Sequence, residues 1–418
     1  MKTFEELERE IFEYVSGVSI FAHGDEKLGR MRELMKYLGD PQNKVKVLHI
    51  AGTSGKTSTS YYTAALLRAA GYRVGLTVSP HVVDIRDRAQ VDMEPLSKED
   101  YVVKMGEYLE LLRSGGQKPS YMEFFMGFVY WLAEKEGLDY AVIEVGLGGM
   151  FDSSNVADRE DKVCLIADIG YDHMEILGDT LPEIAAQKAG IIQQGNRVFV
   201  QDQGEEVLEA FASRAREMGA ELTVLEDYEK YEELPGFQSR NLGLARRAVE
   251  YVMERDGGIL SEDHVREAMK VQVPARAEEF EYKGKKVVVD GAHNPQKLGA
   301  FSEHIVRKHA GKKVVLVMSL GVNKGASVEE CFAAVRGIGD TMVVTSFRDE
   351  SVAFLKESLP MEMLEEVARE IFGEVEVVAD PMEALRIATE MDCDVIVVTG
   401  SFFLLNHVRP ILERERRK

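Results

Sequence analysis

The chain has 418 residues, 45% of them hydrophobic, and a formal net charge of −21. Such a length divides into two or three domains with ample apolar side chain for their cores. The negative charge argues against nonspecific binding to nucleic acid or acidic lipid, so an anionic substrate would need a local positive pocket.

The first stretch, "MKTFEELEREIFEYV", reads as an acidic amphipathic helix rather than a leader. "KVKVLHI" (Lys44–Ile50) reads as a strand, followed by a glycine-rich loop and a helix over Thr57–Ala70. Further strands are expected at "YRVGLTV" (Tyr72–Val78), "DYAVIEV" (Asp139–Val145), "KVCLIADI" (Lys162–Ile169) and "NRVFV" (Asn196–Val200), with helices between them. Arg86–Asp100, charged and carrying a proline, is expected to be a mobile surface loop. "FFMGFVYWLA" (Phe124–Ala133) is too short to span a bilayer and reads as a buried helix. Helices over Arg240–Glu254 and Ser261–Lys270 precede Pro274, which stops the second of them and is followed by a strand pair. A second α/β series then runs through "KKVVVD", "KKVVLVMSL", "DTMVVTSF", "EVEVV" and "DCDVIVVTG". The fold expected is α/β: a P-loop-type N-terminal domain with a mainly parallel sheet, residues 1–273, and a smaller Rossmann-like C-terminal domain, 274–418. The cysteines Cys164, Cys331 and Cys393 lie far apart and make no C-x-x-C pair, which fits a reducing cytoplasm better than a disulfide framework or a zinc site.

The chemistry-bearing residues fall just after strands, where open α/β sheets bind ligands. "GTSGKT" is shorter than the usual P-loop, because Ile50 stands where the first glycine belongs. Its physics is still that of a phosphate cradle: backbone amides over Gly52, Thr53, Ser54 and Gly55, the cation Lys56, and the Thr57 hydroxyl suited to Mg²⁺. A plain Gly/Ser turn is the alternative. Glu144 ends the next strand before "GLGGMFD", and an acid there would complete a Mg²⁺ site, or else cap a loop. Its glycines do not form the dinucleotide pattern G-x-G-x-x-G, which disfavours a dehydrogenase. His173 follows Asp172 at another strand end. Lys188 sits among small and apolar residues in "IAAQKAGII", where it is either a surface lysine or a buried amine that must lower its pKa, find a counter-charge or be modified. In the second half Arg276, Asp290, His293 and the Gly400–Ser401 turn mark strand ends of a nucleotide face or ordinary turns.

Taken in order, "HIAGTSGKTS", "SPH", "SYMEFFMGFVYWLA", "EVGLGGMFDSSNV", "IGYDHMEILGDTLPEIAAQKAGII", "FQSRNLGLA", "PARAE", "DGAHNP" and "VTGSFFLL" resemble the Mur ligase superfamily, and within it the folylpolyglutamate synthase/dihydrofolate synthase family. The resemblance spans nearly the whole chain. It implies a cytoplasmic ATP-dependent ligase, expected as a monomer, that adds L-glutamate to dihydropteroate, reduced folates or both through an acyl phosphate. Residues Gly52 to Ser58 (with Ser58 closing the loop) would cradle the phosphates, with Lys56 on the β- and γ-phosphates. Thr57 and Glu144 would hold one Mg²⁺, and Glu144 and His173 a second. Lys188 would be carbamylated by CO₂. Gln238 and Asn241 would face adenine, Arg276 the phosphates, Asp290 the ribose with His293 nearby, and Lys324 would correspond to the lysine of the family's D-K-D loop. His81 and Asp152 are candidates for the substrate side, where Arg86 and Arg88 of the expected loop are read mainly as solvated charges.

This chain departs from the family pattern at Ser54 and Thr57 of the loop, at Met150 in place of arginine, and at Gln187 in place of glutamate. It departs again at Ala275, where "PGR" has become "PAR", and at Asn323 and Gly325 beside Lys324. The alternative readings are a Mur-type ligase for another acid, such as a UDP-muramyl precursor, and a non-catalytic P-loop switch.

Overall fold

The computed structural model describes residues 2–18, 24–81, 84–321, 327–349 and 356–416. The chain divides into two compact units, Met1–Val271 and Gln272–Lys418.

The first helix, Phe4–Val15, starts at a capping box in which Thr3 and Glu6 exchange side-chain and backbone hydrogen bonds. It buries Phe4, Leu7, Ile11 and Val15, the one-sided spacing expected from its sequence. The strands of unit 1 are β1 (Lys46–Ala51), β2 (Val74–Thr77), β3 (Gln90–Val91), β4 (Glu94–Pro95), β5 (Tyr140–Glu144), β6 (Val163–Ile166), β7 (Arg197–Gln201) and β8 (Glu221–Leu225). They form one eight-stranded sheet in the order β4-β3-β2-β5-β1-β6-β7-β8. The run from β2 to β8 is parallel. Its central strands are buried along almost their whole length, as a sheet covered on both faces requires. Because β5 and β6 flank β1, the segments leaving these three strands emerge side by side. That is the crevice where this sheet class binds ligands.

The stretch Arg86–Asp100 corrects the expectation of a mobile loop. It holds a short 3₁₀ turn (Ile85–Arg88), then β3 and β4, which pair antiparallel and extend the sheet beyond β2. The turn between them places Asp92 and Met93 at φ of 53° and 68°, the left-handed geometry of a tight hairpin made without glycine. The Asp92 carboxylate accepts the Val74 amide at 2.9 Å and so locks the hairpin to β2. The arginines differ from the solvated reading as well: Arg88 is buried, and Arg86 is clamped by the Asp84 carboxylate at 2.7 Å.

Helix Tyr121–Lys135 is buried through most of its length, as expected for its apolar sequence. Among the described residues no helix is long and apolar enough to cross a membrane.

Unit 2 contains β9 (Glu278–Tyr282), β10 (Lys285–Val289), β11 (Val314–Met318), β12 (Thr341–Val344), β13 (Arg348–Asp349), β14 (Lys356–Glu357), β15 (Glu374–Val377) and β16 (Val395–Thr399). Six of these make a sheet in the order β15-β12-β11-β16-β10-β9, parallel except for the β9–β10 hairpin. The small β13–β14 ribbon stands apart from it.

Candidate active site

In unit 1 the loop after β1 is tied to the loop after β6. The amides of Thr53 and Ser54 donate to the Asp168 carbonyl at 2.8 and 3.1 Å, and the Thr53 hydroxyl donates to the Gly170 carbonyl at 3.1 Å. Gly55, at φ 85°, packs so closely on Asn241 that a Cβ would lie 2.4 Å from its Oδ1. Only glycine fits that turn. Helix Lys56–Ala69 starts directly after it, aiming its first-turn N–H groups and positive dipole end at the loop. Lys56 folds over the loop and donates to the carbonyls of Gly52 and Thr53 at 2.9 and 3.4 Å.

Thr57 and Glu144 meet here. The Thr57 hydroxyl donates to Glu144 Oε1 at 3.0 Å, and the Ser79 amide approaches Oε2 at 3.3 Å, with Glu144 only 2% exposed. A hydroxyl and a carboxylate converging beside a phosphate loop form an all-oxygen donor pair of the kind Mg²⁺ accepts. Among the described residues no three His, Cys, Asp or Glu side chains gather as a metal-binding group. Mg²⁺ does not require one, since it keeps several waters and takes one or two carboxylates. His173 lies on the loop after β6, with φ 52°, a half-exposed ring and Asp172 at 3.7 Å.

Lys188 is buried, 4% exposed, near the end of helix Leu181–Ala189, which excludes the surface-lysine reading. The glycine loop after β5 packs against this helix through backbone: the Met150 amide donates to the Gln187 carbonyl at 2.8 Å. A Cβ on Gly149 would lie 2.8 Å from that carbonyl oxygen and 3.0 Å from that of Lys188. We expect Gly149→Ala to destabilise the chain by about 1–3 kcal/mol and to lower turnover, because the obstructing atoms are backbone. Urea unfolding and an ADP-release assay check this pair of effects.

Gln238 and Asn241 are both buried on helix Gly236–Arg255, and Gln238 Oε1 has no hydrogen-bond partner among the described residues. The Ser54 hydroxyl is likewise buried without one, and Ser58 is buried in the first turn of the loop helix. A polar ligand would satisfy such orphaned atoms.

On the substrate side, His81 is buried and accepts a hydrogen bond at Nδ1 from Arg88 Nε at 3.1 Å, which puts its proton on Nε2. Arg88 lies over the rings of Tyr121 and Phe125, at 5.2 and 5.6 Å. Asp152 is turned into its own loop. Its carboxylate accepts the amides of Leu147 and Ser154, both at 3.0 Å, and the Ser154 hydroxyl at 2.5 Å. That hydroxyl also meets His49 Nε2 at 2.9 Å, and burial holds His49 well below the ordinary histidine range, so its ring is neutral. Sequence reasoning missed this His49–Ser154–Asp152 chain, because a histidine inside a strand carries no signal that distinguishes it from core.

In unit 2, Asp290 is buried after β10. Its oxygens accept the amides of Ala277 at 2.8 Å and Ala292 at 2.7 Å. Burial raises its pKa, opposed by Arg276, those amides and Lys297. His293 shares Nδ1 with the Gly291 carbonyl at 2.8 Å and Nε2 with the Lys297 amine at 3.1 Å. Because an ammonium only donates, the ring is the neutral tautomer with its proton on Nδ1. The Arg276 guanidinium lies 4.5 Å from the Phe402 ring centre. Lys324 lies outside the described residues.

Residues 275–402 match the family profile described as Mur ligase, glutamate ligase domain. The dihydrofolate synthase/folylpolyglutamate synthase of Bacillus subtilis (strain 168) is 28% identical over 422 residues, covering 92% of this chain and 95% of that protein. The dihydrofolate synthetase of Saccharomyces cerevisiae is 27% identical over 90% of this chain and 95% of its own length. The crystal structure of Mycobacterium tuberculosis folylpolyglutamate synthase complexed with ADP and AMPPCP superposes with a TM-score of 0.82 at 27% identity, covering 92% of this chain and 95% of that one. Along nearly its whole length the chain is thus similar to folylpolyglutamate and dihydrofolate synthases, and its residues 275–402 match the Mur ligase, glutamate ligase domain.

Proposed function

We propose that this chain is an ATP-dependent carboxylate–amine ligase that adds L-glutamate to a pteroate-type acid (dihydropteroate, a reduced folate, or both), acting as a cytoplasmic monomer. The observation that carries the proposal is the buried Thr57–Glu144 contact at the mouth of the phosphate loop, with Lys56 on that loop. ATP is the phosphoryl donor. The substrate carboxylate attacks its γ-phosphorus, ADP leaves, and an acyl phosphate forms. The amine of glutamate then attacks the acyl carbon, a proton is lost from nitrogen, and phosphate leaves from the tetrahedral intermediate.

Thr57 and Glu144 are the proposed ligands of one Mg²⁺, and Glu144 with His173 of a second; bound there, Mg²⁺ would supply charge neutralisation between anionic reactants. The loop amides and Lys56 hold the phosphates, while Gln238 and Asn241 offer polar atoms for adenine. In unit 2, Arg276 is the proposed phosphate contact and Asp290 the ribose contact, with His293 beside it and Lys324 as a further cation. Lys188 is proposed to react with CO₂: its neutral amine attacks the carbon, one N–H proton leaves to solvent, and a carbamate replaces a cation with an anion. Its burial supports this reading, since a low-dielectric setting disfavours charged amines in general. His81 is the proposed substrate-side residue, while Asp152, its carboxylate taken up within its own loop, would act there by holding that loop in shape.

The test crosses dihydropteroate, tetrahydrofolate and UDP-muramyl acids with a panel of amino acids, in the presence of ATP and Mg²⁺. Phosphate release is expected to require a pteroate-type acid together with glutamate, and the product to gain one glutamyl mass. Turnover with UDP-muramyl acids and none with any pteroate would overturn the substrate while leaving the ligase chemistry standing.

A further inference from the structure

The turn that carries Arg276 is built in an unfavourable way. Ala275 and Ala277, on either side of it, have φ of 55° and 48°, in the left-handed region. Each is disfavoured there by about five- to thirtyfold relative to ordinary backbone. The turn therefore needs support from its surroundings.

Part of that support comes from the segment just after β10: the Gly291 amide donates to the Ala275 carbonyl at 3.0 Å, and Asp290 takes the Ala277 amide at 2.8 Å. The rest comes from Glu278, whose Oε2 accepts the Ala275 amide at 2.9 Å. That same oxygen accepts Arg409 Nε at 2.8 Å, and Arg409 Nη2 donates to the other oxygen at 3.1 Å. Both side chains are almost fully buried, 4% and 3% exposed. The two-pronged pair fixes the plane of the carboxylate and therefore the direction from which it takes the Ala275 amide. Arg409 lies on the last helix, Phe402–Arg416, whose first residue is the ring beside the Arg276 guanidinium. Phe402 and Arg409 stand seven residues apart, two turns along one helix face. A single helix thus supports both the side chain of Arg276 and the backbone turn that presents it.

We propose that Arg409, through Glu278, is a positioning residue that holds the Arg276 turn in its left-handed form; the proposal rests on the reading of Arg276 as a phosphate contact. Where the family pattern has glycine, this chain has Ala275, and the clamp is what makes alanine tolerable there.

The experiment uses the full chain, with ADP and Mg²⁺ titrated calorimetrically, steady-state kinetics with ATP, and hydrogen exchange over residues 274–279. Arg409→Met is expected to weaken ADP binding and raise the KM for ATP about tenfold, with a smaller change in kcat and faster exchange in the turn. Adding Ala275→Gly should return most of that loss, because glycine adopts this φ freely. If Arg409→Met fails to fold, Arg409→Lys, which keeps the charge but loses the fork, carries the same readouts. A variant that melts at lower temperature yet keeps wild-type ADP affinity and exchange would overturn the proposal, as would a double variant no better than the single one. Arg276→Ala separates the two readings. Unchanged ADP binding there would sink the phosphate role of Arg276, while the exchange data would still judge Arg409.

Discussion

Glu144→Ala is expected to lower ATP-dependent ligation at least a hundredfold while leaving the fold intact. Glu144 is the only carboxylate hydrogen-bonded to the Thr57 hydroxyl among the contacts described, and it is buried at 2% exposure between the ends of β1 and β2. Removing such a preorganised charge commonly costs about a hundred- to a thousandfold in rate. The effect on stability should be modest, because the substitution removes the partner of the Thr57 hydroxyl and the Ser79 amide, at about 1–3 kcal/mol for a buried group left unpaired. Lys56→Ala should behave alike, since its amine, folded over the glycine loop, is the proposed phosphate-binding cation. A coupled assay for ADP, run beside circular dichroism, separates loss of chemistry from loss of fold. Substantial ligation by either folded variant would sink the assignment.

The second large effect is expected at Lys188. Lys188→Ala should be inactive and partly rescued by a short carboxylic acid added to the assay, whose carboxylate would stand in for the carbamate. Burial matters in two ways. A low-dielectric setting disfavours charged amines in general, as attack on CO₂ requires, and a carbamate formed there would be shielded from solvent. Because the backbone around Lys188 is wedged against the glycine loop after β5, the cavity left by the alanine variant should hold its shape well enough to admit a small acid. An active enzyme whose well-resolved crystal density shows an unmodified amine at Lys188 would refute the carbamate. Activity unresponsive to formate or acetate in the alanine variant would count against it as well.

Much of the fold was legible because buried parallel strands announce themselves as apolar runs. β5, β6 and β16 lie within the stretches expected, and β1 and β7 run one residue past theirs, to Ala51 and Gln201. β3 and β4 were not legible. They have two residues each, and their turn uses Asp92 and Met93 where Asn-Gly or Asp-Gly would be the readable signal. β8 escaped for a related reason: "ELTVL" is only half-buried along its length and has too little apolar contrast to stand out. Within unit 1, position after a strand was enough to expect Thr57 and Glu144 side by side, since β5 flanks β1 in the sheet. It could not show that Asp152 points inward, nor that Arg88 is stacked on aromatic rings, because side-chain direction depends on contacts between distant segments. The same limit hid the Arg409–Glu278 pair, whose members are 131 residues apart.

The β3–β4 hairpin also bears on how this protein behaves in a crowded solution. A parallel sheet that ended at β2 would present a row of unpaired backbone donors and acceptors, open to any extended chain that drifted against it. Here that side is closed by two strands too short to template a third, of which the outermost consists of Glu94 and Pro95. Proline has no N–H to offer, and glutamate disfavours burial against an incoming strand. The segment that looked like spare loop thus acts as a stopper against sheet-to-sheet growth. Its loss should show first as aggregation on storage, before any change in the chemistry at the other strand ends.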